Sequence, residues 1–371
     1  MEQQACDLLV TASRMLGGAE QSVAPGDAAV AVRDGKILET GSAAELEARW
    51  RPAVRRNLGN VLLMPGLINA HTHVPMTFLR GFADDLPLME WLTGHIFPVE
   101  ARLTDKIVSL GARLGMYEMM RTGTTAFVDS YLLEANVLQE AERMGMRCVG
   151  GEVVFAFPSP AYGGWDGAEA LYLGRLPPCR ERHCSTSPAD SDKWICSIRS
   201  SSSGAAVVHN PVSNLKLASG FARVRDMVRA GVPVSLGTDG ACSNNSLDMF
   251  ETMKLAAILA KGYSGDATAV PAMQALKMAT EEGARIFRTP GLGILVPGAP
   301  ADMIALNLDE PNLCPIFNET SHAVYASSGK DCVFTMVEGR ILYDHGIYTD
   351  GLYADTAAEM RDLVKWVKNS D

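Results

Sequence analysis

The most informative segment of this 371-residue sequence reads Met64-Pro65-Gly66-Leu67-Ile68-Asn69-Ala70-His71-Thr72-His73. An apolar run at residues 61–67 leads into two histidines that are one residue apart. Alternate side chains of a β-strand point to the same face, so we expect His71 and His73 to lie side by side at a strand end. Paired imidazoles of this kind are common zinc ligands. Two polar residues at the point where a strand leaves the core would give the same spacing.

A carboxylate far along the chain supports the metal interpretation. The apolar strand pattern at residues 232–237 ends in Thr238-Asp239-Gly240. In a parallel α/β barrel, the carboxyl ends of the strands meet at one mouth, where metals and substrates bind. We therefore predict that Asp239 joins the two histidines as a metal ligand and hydrogen-bonds the attacking hydroxide. The alternative is an ordinary turn or helix N-cap aspartate.

The middle of the chain alternates between strand-like and helix-like patterns. Residues 104–121 combine a potential N-cap, Thr104, with apolar positions at helical spacing and a glycine just past their end. A strand pattern follows at residues 124–129, and a glycine-terminated helix pattern at residues 132–144. Alternation of this kind, with polar residues at strand ends, predicts an α/β fold: a TIM-like (β/α)₈ barrel over residues 61–299.

Both ends of the chain are rich in short strand patterns. Residues 1–60 contain a hairpin signal at Asp34-Gly35, and residues 300–371 contain a similar turn at Glu338-Gly339. A helix-like pattern with one apolar face closes the sequence. We predict that residues 1–60 and 300–371 together form one small β-rich domain, a β-sandwich.

Composition excludes several classes of protein. The formal net charge is −10 and no long run of Lys or Arg occurs, which argues against nucleic acid as a partner. No uninterrupted apolar stretch of about 18 residues is present, so we expect no membrane association. The first residues lack the pattern of a signal peptide, and eight cysteines without one suggest reduced thiols. These features predict a cytoplasmic protein.

Residues 171–204 fit neither pattern. This irregular segment has no helical or strand period, yet it holds three of the eight cysteines. Its Arg, Cys, Ser and Pro content differs from that of its flanks.

Three long motifs carry a family resemblance. The first lies in residues 64–104 and includes Leu79-Arg80-Gly81, Leu86-Pro87-Leu88-Met89-Glu90-Trp91 and Pro98-Val99-Glu100. The second reads His209-Asn210-Pro211-Val212-Ser213-Asn214-Leu215-Lys216-Leu217-Ala218-Ser219-Gly220, and the third reads Gly237-Thr238-Asp239-Gly240-Ala241-Cys242-Ser243-Asn244-Asn245-Ser246. In this order they resemble the amidohydrolase superfamily and, more narrowly, 5-methylthioadenosine/S-adenosylhomocysteine deaminases. Triazine hydrolases share much of the pattern.

The resemblance implies a distorted (β/α)₈ metallo-hydrolase barrel and a role for each matching residue. His71, His73 and Asp239 fall on metal-ligand positions, and Glu100 falls where the family contacts the nucleoside. The metal would be zinc, or alternatively iron, and would activate water to attack the amino-bearing carbon of a purine. Asp239 would orient the hydroxide and relay its proton, while a second glutamate usually protonates the ring nitrogen.

The chain departs from the family pattern in its middle. The family places a histidine after the fourth strand, a His-x-x-Glu pair on the fifth and a histidine on the sixth. No His-x-x-Glu occurs in this sequence, and residues 156–204 contain one histidine, His183. Length agrees, because seven βα units need roughly 210 residues, whereas Asp239 follows Ala70 by only 169. We therefore expect an incomplete barrel without the region of strands 4–6.

Two accounts of the middle remain open. An internal deletion or a wrong reading frame explains the missing units and the irregular composition. Alternatively the segment is a genuine replacement, in which Cys179, His183, Cys184 and Cys196 could form a zinc site, although their spacing suits no common zinc motif.

Three functions follow from these observations. The first is a metal-dependent deaminase of purine nucleosides by lineage, which we expect to work poorly or not at all because the proton-donating glutamate is missing. The second is a triazine-type hydrolase, which displaces chloride or an amine by the same chemistry. The third is an inactive remnant with a weak metal site. The resemblance also suggests a homo-oligomer.

Overall fold

The computed structural model describes residues 3–17, 26–153 and 206–368. The strands of these ranges are β1 (Gln4–Ala12), β2 (Arg14–Met15), β3 (Ala28–Arg33), β4 (Lys36–Ser42), β5 (Trp50–Asn57), β6 (Val61–Pro65), β7 (Leu67–Thr72), β8 (Thr124–Tyr131), β9 (Arg147–Glu152), β10 (Val207–His209), β11 (Val234–Leu236), β12 (Met303–Asn307), β13 (Cys332–Val337), β14 (Arg340–Asp344) and β15 (Ile347–Tyr348).

The α-helices of the same ranges are α1 (Ala43–Arg49), α2 (Leu88–Glu90), α3 (Phe97–Glu100), α4 (Asp105–Arg121), α5 (Ala135–Met144), α6 (Pro211–Lys216), α7 (Val224–Arg229), α8 (Met249–Ser264), α9 (Ala272–Ala279), α10 (Glu281–Ala284), α11 (Glu319–Ser321) and α12 (Tyr353–Lys368). Tighter 3₁₀ turns span Val74–Leu79, Arg285–Phe287, Pro311–Leu313 and Gly329–Asp331, and wider π turns span Trp91–Ile96 and His322–Ala326. No helix in the described ranges has both the length and the apolarity needed to cross a membrane.

Two sheets are built from the strands near the ends of the chain. One contains N-terminal strands alone, in the order β4-β3-β1-β5, and the other joins strands of both ends, in the order β15-β14-β13-β12-β6-β2. They share one buried apolar cluster, to which Val10 and Val30 contribute from the first sheet and Leu63 and Phe334 from the second. Burial of these aliphatic and aromatic side chains is the main force that holds the two sheets together.

The apolar run at residues 61–67, which leads into the histidines, is divided between two strands. β6 pairs antiparallel with β12, whereas β7 pairs parallel with β8, and Gly66 stands between them. A Cβ at Gly66 would lie 2.1 Å from Oγ1 of Thr125, so only glycine lets the chain pass β8 this closely. The first of these strands therefore extends the sheet built from the chain ends, and the strand that leads to the histidines begins at Leu67.

The strands whose carboxyl ends lie at the candidate site are parallel. β7, β8 and β9 form one sheet in that order, and β10 and β11 form a second. The N–H of Asp239, just beyond β11, donates to the carbonyl of His71 on β7 at 3.0 Å. The ends of β7, β8, β10 and β11 therefore meet on one side of the molecule.

The chain between β9 and β10 includes residues 154–205, which lie outside the described residues. The irregular segment 171–204 and the alternative zinc site of Cys179, His183, Cys184 and Cys196 fall there, so both stay predictions.

Helix α4 confirms the strongest helix prediction. The side chain of Thr104 caps it by accepting a hydrogen bond from the N–H of Ile107, and Gly123 follows its end at a φ of +82°. The helix packs against the turn that follows His73 so closely that a Cβ at Gly111 would lie 2.2 Å from the carbonyl oxygen of Pro75. α4 therefore supports the turn that carries the second histidine.

Candidate metal centre

The end of β7 presents the two histidines. His71 is the fifth of the six residues of β7, and His73 follows the strand and precedes the 3₁₀ turn. Their ring centroids are 4.9 Å apart with planes at 82°. The shared face predicted from the alternation of strand side chains is therefore present.

Asp239 reaches the same point from β11 through a tight turn. Its φ of +62° lies in the left-handed region, which aspartate tolerates better than most residues. A Cβ at Gly237 would lie 2.6 Å from the carbonyl oxygen of His71, and a Cβ at Gly240 would lie 2.8 Å from Sδ of Met76. The glycines on both sides of the aspartate allow this close approach.

The three predicted ligands converge. Oδ1 of Asp239 lies 3.6 Å from Nε2 of His71 and 3.2 Å from Nε2 of His73. One ligand atom from each residue lies within 4.8 Å of the others, and these three form the one such group of His, Cys, Asp and Glu side chains in the described ranges. Two imidazole nitrogens and one carboxylate oxygen are a donor set typical of zinc and iron.

A backbone carbonyl orients His73. Its Nδ1 is in hydrogen-bond contact with the carbonyl of Ser130, which assigns a ring proton to Nδ1 and directs Nε2 toward Asp239. The neighbouring N–H of Val74 donates to Oδ1 of Asp129 at 2.6 Å. Two consecutive residues of β8 thus hold the turn that carries the histidine, an arrangement common behind metal ligands.

Four hydroxyl groups hold Asp239. The hydroxyls of Ser213 and Ser243 donate to its Oδ2 at 2.6 and 2.7 Å. Those of Thr72 and Thr238 donate to its backbone carbonyl at 3.0 and 2.9 Å. Because Oδ2 is occupied, Oδ1 is the oxygen that faces the histidines.

The electrostatics of the three residues suit a cation. Burial alone would lower the pKa of His73, but the hydrogen bond and the charge of Asp239 outweigh burial and raise it to about 9. Burial would raise the pKa of Asp239, but contacts with His71 and His73 hold it well below its ordinary value. The carboxylate thus attracts positive charge to this point, whether from a proton or from a metal ion.

Glu100 lies at the border of the site and outside the ligand group. It is buried at the end of α3. Burial raises the pKa of its carboxyl group, while the nearby Tyr131 hydroxyl and the charge of His73 lower it. The Tyr131 ring centroid is 6.2 Å from that of His73. Glu100 is therefore near His73 without being one of the three converging residues.

Sequence reasoning missed several residues behind the ligands. Ser213 and Ser243 stand in the second and third motifs, but nothing in their spacing indicated that both reach one carboxylate. The same holds for Asn69, whose amide is joined to Thr238 by two hydrogen bonds of 2.7 and 3.0 Å. The repeated hydroxyl and amide residues of these motifs were the one sequence feature that could have indicated hydrogen bonds to the candidate ligands.

A pair of buried acids at the ends of β8 and α5 was also missed. Asp129 and Glu134 are almost fully buried, and both oxygens of Glu134 lack a hydrogen-bond partner among the described residues. Burial, together with the charge of Asp129, raises the pKa of Glu134 to about 11. Burial raises that of Asp129 to about 6, against the hydrogen bond from Val74. At neutral pH the pair holds one proton.

His209 is not among the ligands. It is buried at the end of β10, and burial lowers its pKa to about 4, so the ring is neutral. Its Nδ1 has no hydrogen-bond partner within the described part of the chain. Its backbone carbonyl accepts the N–H of Gly237 at 3.1 Å, which joins β10 to the turn before Asp239.

The model of the amidohydrolase family matches this chain over residues 62–197 and 183–342. A curated 5-methylthioadenosine/S-adenosylhomocysteine deaminase of Nitratidesulfovibrio vulgaris is 41% identical, with 98% of each chain covered. A 5'-deoxyadenosine deaminase of Methanosarcina mazei is 36% identical, with 84% of this chain and 87% of the relative covered.

Solved structures of other proteins are also similar to this chain. A zinc-bound adenosine deaminase from Xanthomonas campestris superposes with a TM-score of 0.89 at 30% identity, covering 99% of this chain and 100% of the other. A zinc complex of an atrazine chlorohydrolase from Arthrobacter aurescens superposes with a TM-score of 0.81 at 16% identity, covering 96% and 100%. The second likeness concerns the fold alone.

Proposed function

This chain belongs to the amidohydrolase family and is by lineage a metal-dependent hydrolytic deaminase, and we propose that 5-methylthioadenosine and S-adenosylhomocysteine are its substrate class. The observation that carries this proposal is the convergence of His71, His73 and Asp239 at the strand ends. The names of the relatives support the choice of an adenosine-type nucleoside.

The three converging side chains fit a divalent metal, for which zinc is the first choice and iron the second. Nε2 of His71, Nε2 of His73 and Oδ1 of Asp239 would hold it. The bound ion would supply the Lewis acidity that makes water a nucleophile at neutral pH. The tautomer fixed by Ser130 keeps Nε2 of His73 available for this role.

The protein's own groups define the remaining steps. Asp239 would accept the proton of the attacking water, and the hydroxyls of Ser213 and Ser243 on Oδ2 would hold its carboxylate in place. Glu100 would accept hydrogen bonds from substrate hydroxyls when ionised, as a carboxylate can from two donors. These assignments are proposals that substitutions can test.

We also propose that the barrel is incomplete and that turnover is weak or absent. The aligned stretch with the N. vulgaris relative is 430 positions long, whereas this chain has 371 residues, so about 60 positions have no residue from this chain. The absence of any His-x-x-Glu from the sequence points the same way. Loss of a general acid typically costs 10²–10⁴ in rate.

An inactive remnant that binds metal is therefore the second candidate function. Two observations favour it: His71, His73 and Asp239 converge, and the sequence contains no His-x-x-Glu to supply the proton-donating glutamate. The triazine-type alternative draws only on the likeness in fold.

Ammonia release is the decisive measurement. The purified full-length chain, loaded with zinc, would be assayed with 5-methylthioadenosine, S-adenosylhomocysteine and a chlorinated triazine, beside an intact relative as positive control. We expect zinc to bind and nucleoside turnover to fall at least about 100-fold below that of the relative. Turnover equal to the relative's would refute the proposed defect, and failure to bind zinc would refute the metal centre.

Three further properties stay predictions. We propose a β-sandwich for the domain built from the two chain ends, supported by the apolar cluster that its two sheets share. A homo-oligomer and a cytoplasmic location rest on the resemblance and on the cysteine content, respectively.

A further inference from the structure

The segment of residues 80–100 borders the metal centre, and five of its residues are buried: Ala83, Trp91, Ile96, Val99 and Glu100. Trp91 and Glu100 are 6% and 7% exposed. Both lie close enough to the buried thiol of Cys242 to influence its pKa, which burial raises. Trp91 and Cys242 belong to one buried apolar cluster, and Cys242 follows Asp239 by three residues, so this segment lies beside the turn that presents the candidate carboxylate ligand.

One ammonium group joins this segment to that turn. Nζ of Lys216 donates to Oδ1 of Asp84 at 2.5 Å, to Oδ1 of Asn245 and to the carbonyl of Cys242 at 3.3 Å. The amide of Asn245 in turn donates to the other carboxylate oxygen of Asp84 at 3.2 Å. The network has four members and satisfies all three donors of the ammonium group.

Helix α6 connects this network to the metal ligand. Lys216 ends the helix, and Ser213, three residues earlier, donates to Oδ2 of Asp239. Residues three apart lie on the same helix face. One short helix therefore contacts both the candidate ligand and Asp84 on the bordering segment.

A second ion pair holds the start of the same segment. Arg80 forms a two-pronged salt bridge with Glu118 of α4 and donates to the carbonyl of Asn245 at 2.6 Å. Glu118 also accepts the N–H of Leu247 at 3.0 Å. Beyond this pair, Asp84 is held by the Lys216 network, and Trp91, Ile96 and Val99 bury their side chains in the apolar core.

We propose that Lys216 is a positioning residue, which latches residues 84–100 over Cys242 and so keeps Trp91 and Glu100 beside the metal centre. Only the statement that Glu100 then meets a nucleoside rests on the proposed function. The latch itself is a property of the folded chain and requires neither metal nor turnover.

Alkylation of individual cysteines tests the latch. The full chain would be treated with iodoacetamide under native conditions, and the modification rate at each cysteine would be read by peptide mass spectrometry. Cys242 reports opening of the segment. Cys332, which is buried in β13 of the six-stranded sheet, reports global unfolding.

We expect Lys216→Met to raise the rate at Cys242 about two- to fivefold, since a partly exposed ion pair contributes up to about 1 kcal/mol, and to leave Cys332 unchanged. Lys216→Arg should restore protection, and Asp84→Asn should reproduce the effect from the other partner. The matched control is Lys106→Met, which removes a lysine from the exposed pair with Glu359 and should leave both rates unchanged.

Two results would overturn the proposal. One is an unchanged rate at Cys242 in both Lys216→Met and Asp84→Asn. The other is an equal increase at Cys242 and Cys332, which would assign the lysine to general stability. Because the measurement uses no substrate and no metal, its failure is distinct from a failure of the deaminase proposal.

Discussion

Nε2 of His73 and Oδ1 of Asp239 lie 3.2 Å apart, although the two residues belong to different described ranges of the chain, 26–153 and 206–368. β7 presents the imidazole and the turn after β11 presents the carboxylate. His71 completes the group at 3.6 Å from the same oxygen. Two imidazole nitrogens and a carboxylate oxygen gathered in this way can bind a divalent cation, so metal affinity is the first property to measure.

Substitution of a ligand should reduce zinc affinity sharply. We expect His73→Ala to weaken binding more than the 10- to 100-fold typical of residues behind a ligand, because it removes one of three donors. Zinc dissociation constants, obtained by competition with a chelating dye, would measure the effect. His345→Ala is the control, since His345 is exposed and paired with Asp344. Equal affinity of the His73 variant and the unaltered chain would contradict the site.

Loss of either serine hydroxyl that donates to Asp239 should weaken zinc binding without abolishing it. Ser213→Ala and Ser243→Ala each remove one of the two hydroxyls that fix Oδ2, so the carboxylate gains freedom to rotate. We expect each to lower zinc affinity about 10- to 100-fold. The cobalt-substituted protein adds a second readout, because a changed ligand orientation alters its visible spectrum. Ser264→Ala, on the distant helix α8, should have no effect, and identical spectra in all variants would exclude a positioning role.

The convergence of the three candidate ligands was predictable from the sequence, because strand alternation and barrel topology impose their geometry. His71 and His73 share a face by the period of a strand, and Asp239 joins them because parallel strands end at one edge. The break at Gly66 was not predictable, since the apolar run on both sides is continuous and only the approach of Thr125 requires the glycine. Ser213, Ser243 and Glu134 were missed because their partners are distant in sequence and follow no local period.

Glu134 should make stability fall as the pH rises. Its pKa is raised from 4.5 to about 11, so the folded state keeps a proton that the unfolded chain releases above about pH 4.5. Glu134→Gln removes this cost, because the side-chain amide is neutral at every pH. We expect the variant to be more stable than the unaltered chain at pH 8, by about 1–2 kcal/mol, and to lose this advantage near pH 4.

Urea unfolding at the two pH values would measure this difference. Glu142→Gln, which alters an exposed glutamate of the same helix α5, should show no comparable pH dependence. Destabilisation by Glu134→Gln at pH 8 would show that the carboxyl group forms a favourable charged interaction and would contradict the assignment of a protonated pair.

Substitution by alanine should have opposite effects on stability at two helical glycines, because the added Cβ would meet a backbone atom at only one of them. Alanine is the better helix former by about 1 kcal/mol, and a Cβ at Gly262 of α8 meets nothing within 4 Å, so Gly262→Ala should stabilise the fold slightly. A Cβ at Gly111 of α4 would lie 2.2 Å from the carbonyl oxygen of Pro75, which cannot rotate away as a side chain can. Gly111→Ala should therefore destabilise the fold by about 1–3 kcal/mol, measured as a lower midpoint of thermal unfolding.

Because Pro75 follows His73 by two residues, Gly111→Ala should also lose zinc affinity, whereas Gly262→Ala should keep it. A stabilised Gly111→Ala with unaltered zinc binding would show that α4 does not hold the histidine turn in place.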